Sequence, residues 1–402
     1  MVWAGFLLVL AVAPLVFSSS FSITLLSQVG YLAIICLSYN LLLGRGGMLS
    51  FGHAVYSGAG AFMAVHAMKM AGQGSLALPV PFVPLVGGLA GLVLAALLGY
   101  VSTRKSGTTF AMITLGMGEL AFAAALMFPG VFGGEAGVSA NRTLSPSFAG
   151  LSFGSALQVY YLIAAYCLAC TAALYAFNRT PLGMLLEAVR DNAQRVEFIG
   201  YDPRRVRYYA FIVAGFFAGI GGGLAAVSTE IVTSEALGSM RSASILLFVF
   251  LGGTAFFAGP LLGAVLMVLA LAGASTLTRG WQLYVGAMFI VMVMYAPGGI
   301  GGLLLQHAAL LRQRGRRLAP AYVALLISSA TVLLGMALLI EMAYHSQLDA
   351  ALGSELVFLS VRLDTARPAA WFASAGLLLL GAGLLRTALK HWRRISALAL
   401  RP

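Results

Sequence analysis

Glu119 is the side chain in this 402-residue sequence best placed to do chemistry. It lies in an apolar stretch, "TTFAMITLGMGELAF", where a carboxylate is costly to keep and usually serves a transport pathway or a gate. A structural pairing inside a helix bundle is the alternative. No second acid is near Glu119 in sequence to form a dyad, and the HExxH motif does not occur. We therefore predict that the chain is not an enzyme.

A histidine and a cysteine pair are the remaining candidates. His53 follows "GRGGMLSFG" and has small neighbours, so a hydrogen bond that orders this segment is favoured over proton chemistry. Cys167 and Cys170 have a spacing that metal and redox sites use, but their segment lacks polar companions. We interpret both cysteines as packing residues and predict no metal site and no cofactor bound by this chain.

These groups must be positioned by membrane helices. The sequence is 60% hydrophobic and 9% charged, against about 45–50% and about 25% in a soluble domain. That composition excludes a water-soluble globule. We predict an all-α polytopic transmembrane bundle, built from twelve apolar segments of near-spanning length. The segments lie at residues 3–19, 22–43, 50–68, 79–101, 108–128, 156–177, 208–229, 240–256, 260–276, 281–298, 320–344 and 369–387.

The few charges orient these segments. When the arginine-rich loop 178–207 is placed in the cytoplasm, alternation puts 18 of the 24 Lys and Arg residues on the inner side. The same topology places both termini in the cytoplasm and requires two crossings between residues 240 and 276. The net charge of +12 is then mainly an inner-face excess, and it indicates no nucleic-acid partner.

The first ten segments divide into two sets of five, and an odd number gives the two sets opposite orientations. This is the arithmetic of an inverted repeat, with two extra spans at the C-terminal end. The third segment of each set is rich in glycine and interrupted: "GRGGMLSFGHAVYSGAGAF" in the first and "LLFVFLGGTAFFAGPLLGA" in the second. Paired breaks indicate a translocation site, while close packing of helices through glycine is the alternative.

A short amphipathic helix is predicted between Thr180 and Gly200, with Thr180 as its N-cap and Pro181 at its first position. Its apolar face comprises Leu182, Leu185, Leu186, Val189, Ala193 and Val196. Its polar face comprises Glu187, Arg190, Asp191, Gln194 and Arg195, with Asp191 and Arg195 spaced to form an ion pair. The loop 178–207 has four acids among six arginines, which favours a protein partner over a lipid surface.

Several long motifs in register resemble the permease subunits of branched-chain amino acid ABC importers, most closely the M-type member of the permease pair. They are "LSYNLLLGRGGMLSFGHAVYSGAGAF", the Glu119 motif followed by "GGEAGVS", "TPLGMLLEAVRDNAQRVEFIGYDPRRVRYYAFIVAGFFAGIGGGLAA", "ILLFVFLGGTAFFAGPLLGAVL" and "LYVGAMFIVMVMYAPGGIGGLL". The resemblance covers about residues 22 to 305, so we expect a permease core at 1–305 and an extension at 306–402.

The resemblance implies a permease of the bacterial inner membrane that imports branched-chain amino acids. It implies as partners an H-type permease, two cytoplasmic ATPases and a periplasmic binding protein, besides membrane lipid. Because no GxxxxGK[ST] motif occurs, ATP must be bound by the partner subunits. Permeases for urea or short-chain amides are close relatives, and a secondary transporter without an ATPase is a further alternative.

The resemblance also implies roles for particular residues. Those expected along the translocation pathway are Asn40, Ser50, Phe51, Gly52, His53, Glu119, Gly252 and Gly253. Those expected on the helix that couples to an ATPase are Glu187, Arg190, Asp191, Arg195, Glu197 and Gly200. The outer loop 129–155 is a candidate docking surface for the binding protein. The extension begins with the basic stretch "RQRGRR", and its residues do not distinguish an anchor, a permease interface or a regulatory addition.

Overall fold

A computed structural model of the chain describes residues 2–148, 150–278, 280–296, 298–348, 355–358 and 361–399. These residues are almost entirely helical, which confirms the all-α class predicted from composition. The apolar sequence accounts for this class. Inside a bilayer, a helix satisfies every backbone N–H and C=O group within its own segment, and no water is present to satisfy them otherwise.

The described residues form fifteen α-helices. In chain order they are α1 (Val2–Val16), α2 (Ser20–Asn40), α3 (His53–Gly72), α4 (Val83–Ser102), α5 (Thr108–Met127), α6 (Pro129–Phe132), α7 (Ala156–Phe177), α8 (Pro181–Phe198), α9 (Pro203–Thr229), α10 (Ser239–Gly252), α11 (Gly259–Val268), α12 (Ser275–Leu277), α13 (Trp281–Tyr295), α14 (Gly299–Leu348) and α15 (Pro368–Ala399). Helices α2 and α11 continue into π-helical turns at Leu41–Arg45 and Leu269–Ala274.

Two antiparallel pairs of short strands join loops outside these helices. The strands are β1 (Val138–Ser139), β2 (Ile231–Val232), β3 (Glu355–Phe358) and β4 (Val361–Asp364). Strand β1 pairs with β2, with Val138 opposite Val232, and β3 pairs with β4, with Glu355 opposite Asp364.

Seven helices among the described residues are long and apolar enough to cross a membrane. They are Ser20–Arg45, Val80–Ser102, Thr108–Met127, Ala156–Phe177, Pro203–Thr229, Pro320–Gln347 and Pro368–Trp392. Each of the twelve predicted segments lies on a helix, but α1, α10 and α11 are short for a full crossing. The chain is therefore a multi-pass membrane protein, while the twelve crossings and the inverted repeat stay predictions.

The chain divides into two compact units. The first comprises Met1–Ala272 and Phe289–Gly302, and the second comprises Gly273–Met288 and Leu303–Pro402. The second unit thus contains the predicted extension together with the start of α13. The division at residue 305 stays a prediction.

Helix α9 is the centre of the first unit, where it packs against α2, α3 and α4. Glycines allow the backbones to touch. A Cβ atom on Gly91 of α4 would lie 2.3 Å from the carbonyl oxygen of Gly215 on α9, and one on Gly222 would lie 1.8 Å from that of Ser57 on α3. Membrane helices associate through such contacts because lipid tails are as apolar as the side chains themselves.

The second unit is built on the packing of α14 against α15. A Cβ atom on Gly335 would lie 2.7 Å from the backbone nitrogen of Leu378, so these two helices are also in backbone contact. Glu341 on α14 accepts hydrogen bonds from Thr278 and from Tyr284, the latter at 3.0 Å. These bonds attach Thr278 and the start of α13 to the C-terminal part of α14.

We expect Gly222→Val to destabilise the first unit by about 3 kcal/mol, because the new side chain overlaps the α3 backbone and forces α9 away. The midpoint of thermal unfolding in detergent measures this, and we expect it to fall by several degrees. Gly5→Val on α1 is the matched control, since nothing lies within 4 Å of a Cβ atom there. Equal midpoints for the two variants would contradict the packing of α9 on α3.

Candidate functional site

The backbone leaves regular α-helix between α2 and α3, at residues 41–52, called here the first broken segment. The π-helical turn Leu41–Arg45 leads into a glycine-rich turn, and α3 then begins at His53. Most of these residues are buried. The break predicted within "GRGGMLSFGHAVYSGAGAF" is therefore present, and it precedes α3 without interrupting it.

Hydrogen bonds to α2 and α5 hold the first broken segment in place. The Tyr39 hydroxyl donates to the carbonyl oxygen of Ser50 at 2.9 Å, and the backbone N–H of Phe51 donates to Thr114 Oγ1 on α5 at 3.1 Å. The fully buried ring of His53 lies 2.9 Å through Nε2 from Ser38 Oγ. His53 therefore ties the end of α2 to the start of α3, the ordering role proposed for it.

Three buried polar atoms at this break have no hydrogen-bond partner among the described residues. They are Asn40 Oδ1, Ser50 Oγ and His53 Nδ1. Buried polar atoms are nearly always paired, so three unpaired ones in one segment indicate a place prepared for water or for another polar group. Asn40, Ser50 and His53 are among the residues that the sequence placed on the translocation pathway.

Helix α5, which carries Glu119, packs against this segment. A Cβ atom on Gly118 would lie 3.6 Å from the Cα atom of Gly52, and one on Gly52 would lie 2.3 Å from the carbonyl oxygen of Thr114. Glu119 itself faces away from the bundle and is exposed. Within the described part of the chain it makes no hydrogen bond and no ion pair, so the structural pairing considered for it is not found there.

Glu119 belongs to a continuous exposed stripe on α5. The stripe comprises Met112, Leu115, Gly116, Glu119, Leu120, Ala123, Leu126 and Met127. Its members recur every three or four residues, so they form one face of the helix. A carboxylate at the middle of an apolar helix face requires either water or a covering protein, because hydrocarbon does not solvate it.

A second break separates α10 from α11 and approaches the first. Cβ atoms on Gly252 and Gly253 would lie 2.2 Å and 2.4 Å from the carbonyl oxygens of Gly259 and Gly298 respectively. These glycines therefore serve close backbone packing, the alternative left open by the sequence. The two breaks meet where a Cβ atom on Gly44 would lie 2.6 Å from the carbonyl oxygen of Thr254.

Helix α8 has the ends that its sequence predicts. Thr180 caps it by accepting a hydrogen bond from the backbone N–H of Gly183, and Gly200 follows it with a φ angle of 91°. Leu186, Val189 and Val196 are buried against the rest of the chain. The predicted helix is therefore present, and the other three residues of its predicted apolar face, Leu182, Leu185 and Ala193, are half-buried.

The predicted pair of Asp191 with Arg195 is wrong, because α8 is kinked between them. Asn192 has φ −159° and ψ 100°, and its side chain accepts a hydrogen bond from the backbone N–H of Arg195 at 3.0 Å. Asn192 therefore caps a second short helix, and the spacing of four residues no longer brings Asp191 and Arg195 together. Asp191 pairs instead with Arg190, at 3.0 Å.

The first half of α8 is attached directly to the first broken segment. Arg190 Nη1 donates to the carbonyl oxygen of Gly44, and Arg45 Nη1 lies 2.5 Å from Glu187 Oε2. Gly47 has a φ angle of 63°, which other residues adopt only with strain, and a Cβ atom there would lie 2.8 Å from Arg190 Cγ. Glu187 and Arg190 thus contact their own chain.

Most residues of α8 from Asp191 onward are exposed, although Val196 is buried. Asp191, Arg195, Glu197 and Gly200 are exposed. Beside them Phe198 and Ile199 have relative exposures of 89% and 66%. The sequence analysis did not select these two residues, although two apolar residues after the predicted polar face were a visible signal.

A charged residue pair that the sequence analysis missed holds the loop 129–155 in place. Arg142 donates from its backbone N–H to Glu230 Oε1 at 2.9 Å and from Nε to the carbonyl oxygen of Phe153 at 2.8 Å. Its Nη1 donates to the carbonyl oxygen of Val227 at 3.2 Å, which caps the last turn of α9. Glu230 adopts a φ angle of 59° there, and its carbonyl oxygen accepts from Ala140 N.

The cysteines are packing residues. Cys36, Cys167 and Cys170 are buried and free. In the ranges that the structure covers, no group of three His, Cys, Asp or Glu side chains is arranged to hold a metal ion.

Known proteins with similar sequences indicate the class of protein in which this arrangement occurs. Residues 21–297 match the family model described as branched-chain amino acid transport system permease component. Two curated relatives are the high-affinity branched-chain amino acid transport system permease proteins LivM of Escherichia coli and Salmonella typhimurium. Each is 28% identical, over 73% of this chain and 73% of the relative. The probable LivH permease of Methanocaldococcus jannaschii is 27% identical over 63% of this chain and 82% of its own length. No solved structure gives a significant match.

We expect Arg142→Ala to release the loop 129–155 from the end of α9, because the guanidinium bonds to the carbonyl oxygens of Phe153 and Val227 are lost together. Hydrogen bonds to charged groups contribute about 1.5–3 kcal/mol, so amide exchange at Val138 and Ala140 rises at least about tenfold. Hydrogen–deuterium exchange with mass spectrometry measures this. Arg104→Ala is the control, since Arg104 lies over the ring of Tyr100 outside this loop. Unchanged exchange would contradict the fastening role.

Proposed function

Because the chain belongs to the permease component family of branched-chain amino acid transport systems, we propose that it is the membrane-spanning subunit of an ABC importer in a bacterial inner membrane. Its substrates are amino acids with branched apolar side chains. It works beside a second, H-type permease, and two ATPases in the cytoplasm bind and hydrolyse the ATP. Its termini lie in the cytoplasm, as the distribution of basic residues predicts.

The observation that carries this proposal is the attachment of α8 to the first broken segment. Arg190 and Glu187 on α8 bind Gly44 and Arg45, which stand at the start of the break. The break is in turn bound to α5 through Phe51. A displacement of α8 is therefore transmitted directly to the non-helical backbone of the first broken segment, with no flexible linker between them. ATP-driven movement of a docked ATPase would act on the pathway by this route.

The ATPase contacts the exposed second half of α8. Phe198 and Ile199 enter an apolar pocket of the ATPase, and Asp191, Arg195 and Glu197 surround them with charge. A central aromatic anchor with a polar rim is the usual composition of a protein interface. This assignment differs from the one based on the sequence, because Glu187 and Arg190 serve the internal attachment.

The exposed stripe on α5 faces the second permease across a water-filled pathway. Glu119 supports this placement, since its carboxylate lacks a partner within the described chain and cannot face hydrocarbon cheaply. Asn40, Ser50 and His53 lie behind α5 with unpaired polar atoms. They become accessible to substrate or water when the first broken segment moves. The binding protein delivers substrate at the outer loop, which Arg142 holds in one conformation.

The direct experiment is uptake by vesicles that contain this chain, an H-type permease, the two ATPases and a loaded binding protein. We expect ATP-dependent accumulation of labelled leucine. Accumulation of urea or acetamide in place of leucine would support the related amide permeases, and uptake driven by an ion gradient by this chain alone would overturn the ABC assignment.

We expect Phe198→Asp with Ile199→Asp to abolish copurification of the ATPases and to reduce ATP-dependent uptake at least about a hundredfold, because two charges replace the apolar anchor. Affinity copurification and uptake measure the two effects. The control for ATPase copurification is Leu144→Asp, which puts a charge on a leucine of the loop 129–155 that is 63% exposed. Normal copurification of the ATPases with the double variant would contradict the docking assignment.

We expect a cysteine at position 119, made by Glu119→Cys, to react with a membrane-impermeant thiol reagent in the assembled importer. The expected rate is at least about tenfold above that of Leu97→Cys, because thiols react as thiolates, which require water. Leu97 on α4 is the matched control, since it is 65% exposed on an apolar helix. Equally slow labelling of both cysteines would place the α5 stripe against lipid.

A further inference from the structure

The second unit contains a groove of about 570 Å³ between α14 and α15. Its walls are apolar along Ala324 and Ile327 of α14 and along Leu384 and Ala388 of α15, and Lys390 and His391 stand at one end. The groove is independent of the first broken segment and of the exposed α5 stripe. Nothing in the proposed transport function accounts for it.

The few polar atoms within the groove are already satisfied by their own helices. Ser328 Oγ donates to the carbonyl oxygen of Leu325 at 3.1 Å, and Thr387 Oγ1 donates to that of Leu384 at 2.8 Å. The inner part of the groove therefore offers an apolar surface only. It suits a hydrocarbon chain.

The depth of the groove in the membrane separates its apolar part from its charged end. Residues 324–328 lie in the first turns of the spanning helix Pro320–Gln347, and residues 384–391 lie in the last turns of Pro368–Trp392. At 1.5 Å per residue, Lys390 stands about 9 Å beyond Leu384 along α15. The apolar walls thus lie among acyl chains, and Lys390 and His391 lie at the headgroup level, where Lys side chains extend to the interface.

The charge at this end is uniformly positive. No Asp or Glu occurs in residues 306–340 or 366–402. The basic residues of the same helical ends, known from the sequence, are Arg312, Arg314, Arg316, Arg317, Arg386, Lys390, Arg393 and Arg394. Clustered basic residues at the end of spanning helices bind anionic headgroups. The groove therefore combines an apolar channel with a site for negative charge.

Two unpaired polar groups lie close to the charged end. Tyr322 and Trp392 both contact the ring of His307, with ring centroids 5.5 Å and 5.7 Å away. The hydroxyl of Tyr322 and Nε1 of Trp392 are buried and have no hydrogen-bond partner among the residues described. Aromatic residues with such polar groups are enriched at the headgroup level of membranes.

We propose that this groove binds an anionic phospholipid. One acyl chain lies between α14 and α15, and the phosphate contacts Lys390 and His391. An acidic protein segment does not match the groove, because its apolar walls lie at hydrocarbon depth. Free phosphate does not match it either, since it would leave those walls uncovered. The positive-inside arrangement assigns the lipid to the cytoplasmic leaflet.

The test is native mass spectrometry of the purified chain after exposure to phosphatidylglycerol or phosphatidylcholine. We expect retention of phosphatidylglycerol alone. Lys390→Gln should lower this retention about fivefold, since each Lys or Arg near an anionic lipid contributes roughly this factor, and adding His391→Gln should lower it at least as much. Lys390→Arg should keep it. Ile327→Trp should lower it by filling the groove without changing charge.

Arg104→Gln with Lys105→Gln is the matched control, because it removes two exposed basic groups outside the groove. Equal retention of the two lipids, or an equal loss in the control and the Lys390 variant, would overturn the proposal. Displacement of the lipid by an acidic protein that copurifies with the chain would also overturn it. If Ile327→Trp fails to fold, the difference in phosphatidylglycerol retention between Lys390→Arg and Lys390→Gln still tests the proposal.

Discussion

The hydrogen bond from Arg190 to the carbonyl oxygen of Gly44, with the adjacent pair of Arg45 and Glu187, is the interaction on which the rest of the first unit depends. Gly44 is the point where α2 has already left α-helical geometry, so its carbonyl is free to accept from outside the helix. The π-helical turn, the glycine-rich turn and α8 therefore form one local structure. The ATPase-driven transport proposed for the chain requires such a link between α8 and the first broken segment.

The same region concentrates unpaired polar atoms inside an otherwise apolar bundle. Asn40, Ser50 and His53 each have one buried atom without a partner in the described chain. Each buried polar atom without a partner lowers the stability of the fold by about 1–3 kcal/mol. Three such atoms at one break therefore indicate a requirement other than stability. Glu119 on the neighbouring helix is exposed for a related reason, since the bundle offers it no partner. Polar groups without partners thus lie on both faces of α5, the face packed in the bundle and the exposed face.

Local chemistry decided which features could be predicted from the sequence. The ends of α8 were predictable because Thr180, Pro181 and Gly200 act on adjacent residues. The kink at Asn192 could not be predicted, because an asparagine in a segment with helical spacing of apolar residues is also compatible with an unbroken helix. The partners of Arg190 and Arg142 are 146 and 88 residues away in the chain, and no periodicity reports contacts of that separation.

The central claim is that α8 and the first broken segment move as one body. A Cβ atom on Gly47 would lie 3.6 Å from Arg190 Cβ, within the range of a disulfide, and the native cysteines are buried. The direct measurement is ATP-dependent uptake by the Gly47→Cys, Arg190→Cys variant before and after oxidation. With the link through Arg190 removed, uptake should be low in the reduced protein, and formation of the disulfide should restore it at least threefold. Uptake that stays unchanged or falls on oxidation would contradict the account.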